Sequence, residues 1–275
     1  MSRYNTSLSP ESAIGMFDSG VGGLTVMRQL AQTLPNENIV YFGDTARVPY
    51  GEKSRETIIR YSIENAIFLM QQNIKMLVIA CNTASACAID HLRQIFNIPI
   101  IGVIEPGAQS ALKVSKTGRI AVIGTKGTVR SGAYQEEIQK KRADASVLSL
   151  ACPLFVPLVE EQWLHHPAAK MIVQEYLEPI QKNQIDTLLL GCTHYPLLHH
   201  LIAEHIGPNI SIVDSATACA QEVQRVLEAH GLLRESELLP THRYFVSDDP
   251  EKFRAIGSQF FGGPLPSIDL ASSKF

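Results

Sequence analysis

At 275 residues and 30.3 kDa the chain is near the upper limit for a single hydrophobic core, so one large or two smaller domains are expected. A content of 45% hydrophobic and 19% charged residues excludes a disordered chain. The formal charge of -3, from 24 basic and 27 acidic side chains, excludes both a basic field for nucleic acid and a polybasic membrane-surface patch. No apolar run reaches the roughly 18 residues of a transmembrane helix. The opening MSRYNTSLSPES is polar, so no secretory signal is expected there. The cysteines, Cys81, Cys87, Cys152, Cys192 and Cys219, are odd in number and lack C-x-x-C spacing, which points to free thiols and a cytoplasmic setting.

Short β-branched runs recur along the chain, each followed by a loop and a stretch of helical period. Strands are predicted at 14–17, 39–42, 77–79, 100–103, 120–123, 147–150, 188–190 and 210–213. Between them, Ile59, Ile63, Ile67 and Met70 form a helical stripe; Ala169, Ile172, Val173, Tyr176, Leu177 and Ile180 form another, and Ala220, Val223 and Leu227 a third. Apolar strands without alternation are buried on both faces, and their alternation with helices implies parallel sheets. The fold class is therefore α/β. In such folds ligands sit beyond the carboxyl ends of the strands, so the residues there carry the information.

Those loops hold small polar groups and thiols rather than Lys or Arg. The first, DSGVGGLTV, has Thr25 where a dinucleotide fingerprint needs its third Gly. GEKS at 51–54 resembles the end of a phosphate loop, but Glu52 separates Gly from Lys and Ala46 stands where the first Gly belongs. What remains is a set of N–H groups at a helix start, a seat for a small carboxylate, or else simply a tight turn.

One internal echo stands out: MLVIACNTASA (76–86) and TLLLGCTHYPL (187–197) each run from an apolar strand through a small residue and Cys into Thr-bearing polar residues and a helix start. Cys81 and Cys192 thus end matched strands about one domain length apart, where a helix N-terminus lowers a thiol's proton affinity. Cys87 and Cys219 fall in helices and read as packing; Cys152 leans the same way. A metal set of Cys192, His194, His199 and His200 has poor spacing. A Cys-His hydrolase needs one nucleophile, not two matched thiols. Two facing thiols suit inversion of a carbon stereocentre, in which one base removes a proton from one face and an acid delivers one to the other. Asp18 and His194 are candidates for holding each thiol in its working state.

FDSGVGGLTV (17–26), YFGDTARVPYGEKS (41–54), VIACNTASA (78–86), PLFVPLVEE (153–161) and LLLGCTHYPLL (188–198) together resemble glutamate racemase, a cofactor-independent family of the aspartate/glutamate racemase superfamily. The motifs run in the family's order through most of the chain; the first dozen residues and the tail after about Pro250 lie outside them. The resemblance implies two pseudo-symmetric domains with the active site in the cleft between them: residues 1–105 and 215–275 form a discontinuous first domain, and 106–214 the second. It implies interconversion of L- and D-glutamate for peptidoglycan synthesis, without cofactor or metal. Cys81 would act on the proton of D-glutamate and Cys192 on that of L-glutamate. Asp18 and His194 match assisting groups, and Glu160 an acidic residue near the second thiol. Asp18, Ser19, Pro49, Tyr50, Gly51, Asn82, Thr83, Thr193 and His194 match substrate-contacting stretches, with Thr125 and Thr128 of GTKGT adding hydroxyls.

Other roles stay open for these residues. Asp18, Asn82 and Thr83 also suit helix capping, Pro49 and Tyr50 loop shaping, and His194 a satisfied core or cap position. Competing functions are a superfamily racemase acting on aspartate, a hydantoin or an arylmalonate, and a non-catalytic amino-acid-binding protein. The family commonly forms homodimers, and some Gram-negative members are activated by a cell-wall precursor; residue spacing decides neither for this chain.

Overall fold

The structure is a computed structural model and describes residues 8–271; the polar opening stretch lies outside it up to residue 7. The first half of the chain runs β1 (Ala13–Asp18), α1 (Leu24–Thr33), β2 (Ile39–Gly43), α2 (Arg55–Met70), β3 (Ile74–Ile79), α3 (Asn82–Ile95) and β4 (Ile100–Gly102). After α4 (Ile104–Val114) come β5 (Arg119–Gly124), α5 (Lys126–Ser131), α6 (Ala133–Lys141), β6 (Ser146–Ala151), α7 (Phe155–Glu160), α8 (Pro167–Lys182), β7 (Thr187–Gly191), α9 (His199–Ile206) and β8 (Ser211–Asp214). The chain then returns through α10 (Ser215–Ala229), β9 (His242–Val246), α11 (Pro250–Phe261) and β10 (Asp269–Leu270).

Two sheets result, both wholly parallel, with orders β10-β9-β2-β1-β3-β4 and β6-β5-β7-β8. The order β2-β1-β3-β4 recurs as β6-β5-β7-β8, so the echo seen in the sequence is a repeated topology. Each sheet reverses its direction of winding between two adjacent strands, β1 and β3 in the first and β5 and β7 in the second. That reversal opens a crevice at their carboxyl ends.

Burial on both faces explains the unalternating strands. In β1, Ile14 and Met16 enter one core cluster while Ala13 and Phe17 enter another on the opposite face. The first of these clusters also takes Ala121, Ile123, Leu188 and Leu190, so apolar packing is continuous between the halves. The stripes of α8 and α10 face the core, with Ala169, Val173, Leu177 and Ile180 buried in α8 and Ala220, Val223 and Leu227 in α10. In α2 the deepest face is displaced from the expected stripe: Ile58, Ser62, Asn65, Ala66 and Leu69 are buried, whereas Ile59, Ile63 and Ile67 are half-buried. Polar Ser62 and Asn65 take inner positions because each has a hydrogen-bond partner there.

Strand β9 was not apparent from the sequence. Its HRYFV pattern mixes polar and apolar positions, and its place is set by parallel pairing with β2. Val103, expected to end β4, instead precedes α4. Among the described residues no helix is long and apolar enough to cross a membrane, and all five cysteines are free and buried.

Candidate active site

The crevices of the two sheets face one another across a cavity of about 520 Å³. Its walls include Ser19, Pro49, Tyr50, Gly51, Cys81, Asn82 and Thr83 from the first half, and Thr125, Glu160, Cys192, Thr193 and His194 from the second. Asp18 and Thr128, which the resemblance also nominates, stand behind this wall. Cys152 is fully buried and does not line the cavity. Among the lining residues the only Lys or Arg is Lys126, at the rim, where it pairs with Glu52 at 3.4 Å.

The two thiols sit in different surroundings. Cys81 caps α3, its sulfur accepting the Ala84 N–H at 3.5 Å while its S–H points to Ser19 Oγ at 3.6 Å. Asn82 and Thr83 are therefore the first residues of the helix rather than its cap. The expected drop in Cys81 proton affinity does not occur: burial pushes the thiol up to about 12, with the Asp18 carboxylate adding to it and the Ala84 N–H opposing. After Cys192 no α-helix starts at once. Pro196 stands within a 3₁₀ turn over Tyr195–Leu198, and α9 begins only at His199.

In place of a helix N-terminus, Cys192 has His194. Its Nδ1 lies 4.0 Å from the sulfur, and its Nε2 lies 2.9 Å from Glu160 Oε1. Burial alone would lower the imidazolium's proton affinity, but Cys192 and Glu160 together push His194 up to about 10. Glu160 is raised by its own burial, yet the His194 contact holds it below the usual carboxylate range. His194 thus binds its proton more tightly folded than unfolded. The histidine's part of the stability from this pair is complete below its reference value of about 6.5 and is lost as pH rises through about 10, while in acid the pair is lost again as Glu160 takes up a proton. Glu160→Gln is expected to lower the His194 titration by about one unit or more. Nitrogen NMR of the imidazole and the alkaline limb of the pH–rate profile both read that shift; an unmoved titration would remove Glu160 from this role.

The glycine loop after β1 does not present an open carboxylate seat. Asp18 itself accepts the Gly20 N–H at 3.0 Å, so the chain's own carboxylate occupies that place. Burial raises Asp18 above the usual carboxylate range, against the pull of His194 and the N–H groups of Gly20 and Gly23. The loop instead makes contact across the cleft, with Thr25 Oγ1 donating to the Thr193 carbonyl at 3.1 Å.

On the cavity wall the hydroxyls of Thr83 and Thr125 lie 2.8 Å apart, and Thr128, behind them, reaches both at 3.1–3.2 Å. Asn82 Oδ1 accepts the Tyr134 hydroxyl at 2.6 Å, leaving its buried Nδ2 without a hydrogen bond. The Tyr50 hydroxyl donates to Asp44 and accepts Asn65 Nδ2 at 3.0 Å, while Arg47 bridges Asp44 and Asn65. Tyr134 and Asn65 escaped notice in the sequence because folding brings them to the site from 52 and 15 residues away; Asp44, at a strand end, and Arg47 lie close to Tyr50 in the chain, but nothing in their spacing nominated them as site residues. The metal option is not assembled. Among the described residues no three His, Cys, Asp or Glu side chains form a metal-binding group, and the His200 ring packs at a 39° tilt against His165, centroids 5.5 Å apart.

Residues 14–223 match the Asp/Glu/Hydantoin racemase family. The chain is 51% identical over 259 residues to a glutamate racemase of Geobacter metallireducens, covering 94% of this chain and 96% of that one. It is similar in structure to a glutamate racemase of Bacillus anthracis, with a TM-score of 0.92 and 39% identity over 97% of this chain and 98% of that one. A glutamate racemase of Francisella tularensis, solved in complex with D-glutamate, gives a TM-score of 0.90 and 38% identity over 96% of this chain and 98% of that one. With repeated parallel sheets, a thiol at each matched strand end and this extent of identity, the chain belongs to the Asp/Glu/Hydantoin racemase family and, within it, to the glutamate racemases.

Proposed function

We propose that the protein interconverts L- and D-glutamate by proton transfer between two cysteines, without a cofactor, and that the D-glutamate enters peptidoglycan. The observation that carries this reading is the pair of buried thiols at equivalent strand ends of two facing sheets, both lining one cavity. In the direction from L-glutamate, Cys192 removes the α-proton and Cys81 protonates the opposite face; from D-glutamate the roles exchange. Cys81, pushed up to about 12, rests as the thiol that the donor role requires. The His194 imidazolium is the counterion that a thiolate at Cys192 needs, and Glu160 keeps that imidazolium charged. The Asn82 Nδ2 donor and the hydroxyls of Ser19, Thr83, Thr125 and Thr193 suit the two carboxylates of glutamate, in a cavity where water is displaced.

The chain division that goes with this reading is 1–105 with 215–275 against 106–214, supported by the return of β9 and β10 to the first sheet. A cytoplasmic setting is supported by the free thiols. The test is incubation of L-glutamate in deuterated water without added cofactor, with L-aspartate in parallel. Loss of optical rotation with deuterium at the α-carbon is expected for glutamate and not for aspartate. A requirement for pyridoxal phosphate, or inversion without solvent label, would overturn the mechanism. Preference for aspartate would move the protein to another branch of the family.

A further inference from the structure

Helix α11 lies beyond residues 14–223, which carry the match to the Asp/Glu/Hydantoin racemase family, yet it reaches the His194 side of the cavity. Gly257 lets it dock closely on α1: a Cβ there would stand 2.6 Å from Leu265 Cδ1 and 2.8 Å from Leu24 Cδ1. Near the end of the helix, Phe260 is 1% exposed and packs edge to face with the His194 ring, centroids 5.1 Å apart at 79°. The other face of its neighbourhood is a separate cavity of about 170 Å³, lined by Phe260, Thr25, Pro196 and Gln259 but not by His194.

We infer that Phe260 is a positioning residue for His194, the rear wall that sets the tilt of the imidazole and keeps it apart from the adjoining cavity. The hydrogen-bonding partners of His194 act at its two nitrogens, Glu160 at Nε2 and Thr193 with Cys192 at Nδ1. The contacts at Nδ1 are long, 3.4 Å to Thr193 and 4.0 Å to Cys192, so that end of the ring is held loosely by hydrogen bonding alone. Packing against a ring supplies the missing restraint. The charged and titratable groups around the imidazole are Cys192 after β7, Glu160 of α7 and Asp18 at the end of β1; Lys252 of α11 acts on it through Glu160. Phe260 contributes no charge, so its effect is one of placement.

The inference rests on the two-thiol reaction proposed above and predicts an asymmetric defect. Phe260→Leu in the full-length protein is expected to lower kcat/KM by about tenfold or more, the scale for a displaced reacting group. The Cys192 step then becomes slower than the Cys81 step. With α-deuterated substrates, the isotope effect on kcat/KM should rise from L-glutamate, whose label Cys192 removes, and fall from D-glutamate. Phe261→Leu, whose ring packs on Tyr244 at 6.3 Å, perturbs the same helix without touching His194 and should leave both isotope effects unchanged. If Phe260→Leu is inactive, the His194 imidazole signals decide instead: faster exchange with water in Phe260→Leu alone supports the inference, and unaltered signals overturn it. Isotope effects that move together, or the same divergence in Phe261→Leu, also overturn it. Failure of the two-thiol reading would show separately, as absent cofactor-free racemisation in the unsubstituted protein.

Discussion

Serine at Cys81 or at Cys192 is expected to lower racemisation by about 10³-fold or more, in both directions, while leaving the thermal unfolding midpoint close to that of the unsubstituted protein. The size of the effect follows from acidity. A hydroxyl gives up its proton far less readily than a thiol, so serine can neither accept the α-proton as an anion near neutral pH nor share the thiol's poise between acid and base. Stability should hold because the replacement is small and its surroundings are already polar. At Cys81 the Ala84 N–H and Ser19 hydroxyl remain to satisfy a new hydroxyl, and at Cys192 the His194 ring is in reach. Both side chains are nearly buried, 6% and 7% exposed, so neither substitution alters the surface. Optical rotation and circular dichroism melts on the same preparations check the two halves of this expectation. Appreciable activity in either variant would mean that a single base suffices, and the matched thiols would then need another explanation.

Gly22→Ala should be almost as damaging, although the residue carries no chemistry. A Cβ at this position would fall 2.2 Å from Thr193 Oγ1 and 2.4 Å from His194 Nδ1. Neither distance is physically available, so either the glycine loop or the Cys192-Thr193-His194 segment must move. Thr25 ties the same loop to the Thr193 carbonyl, which makes a local adjustment difficult. The expected result is a loss of about 10²-fold in kcat/KM, the scale for displacing a reacting group by an ångström, with destabilisation of about 1–3 kcal/mol from overpacking. Steady-state kinetics and denaturant unfolding measure these separately. Wild-type kcat/KM in a folded Gly22→Ala protein would show that the His194 geometry has more latitude than the packing suggests.

Much of the architecture was legible before folding because buried parallel strands announce themselves locally. Val, Ile and Leu runs such as 120–123 and 188–190 must be covered on both faces, and the loops that follow them must lie at one end of a sheet. This is why Ser19, Asn82, Thr125 and Thr193 could be singled out, and why they meet at one cavity; Tyr50, seven residues beyond the end of β2, was nominated only by the family resemblance. Strand β9 escaped because a half-buried strand with His242 and Arg243 at its start, between β2 and the two-residue edge strand β10, depends on its neighbour for its conformation and carries no such pattern.

The character of the two thiols belongs to a different level. Their matched positions are a property of the repeated sequence pattern, but their environments are not repeated. Burial beside Asp18 pushes Cys81 upward against the helix N-terminus it caps, while Cys192 lacks an immediate helix and takes an imidazolium from its own loop. Charge interactions and close packing depend on distances between groups far apart in the chain, such as Glu160 with His194 for the first and Gly22 with Thr193 for the second. Periodicity carries no information about those distances. Local composition and spacing were enough to specify the α/β class, the strand ends and the two cysteines. Which carboxylate faces which thiol, which glycine must remain bare and which ring backs the histidine were decided only when the two sheets and the returning helix α11 packed together.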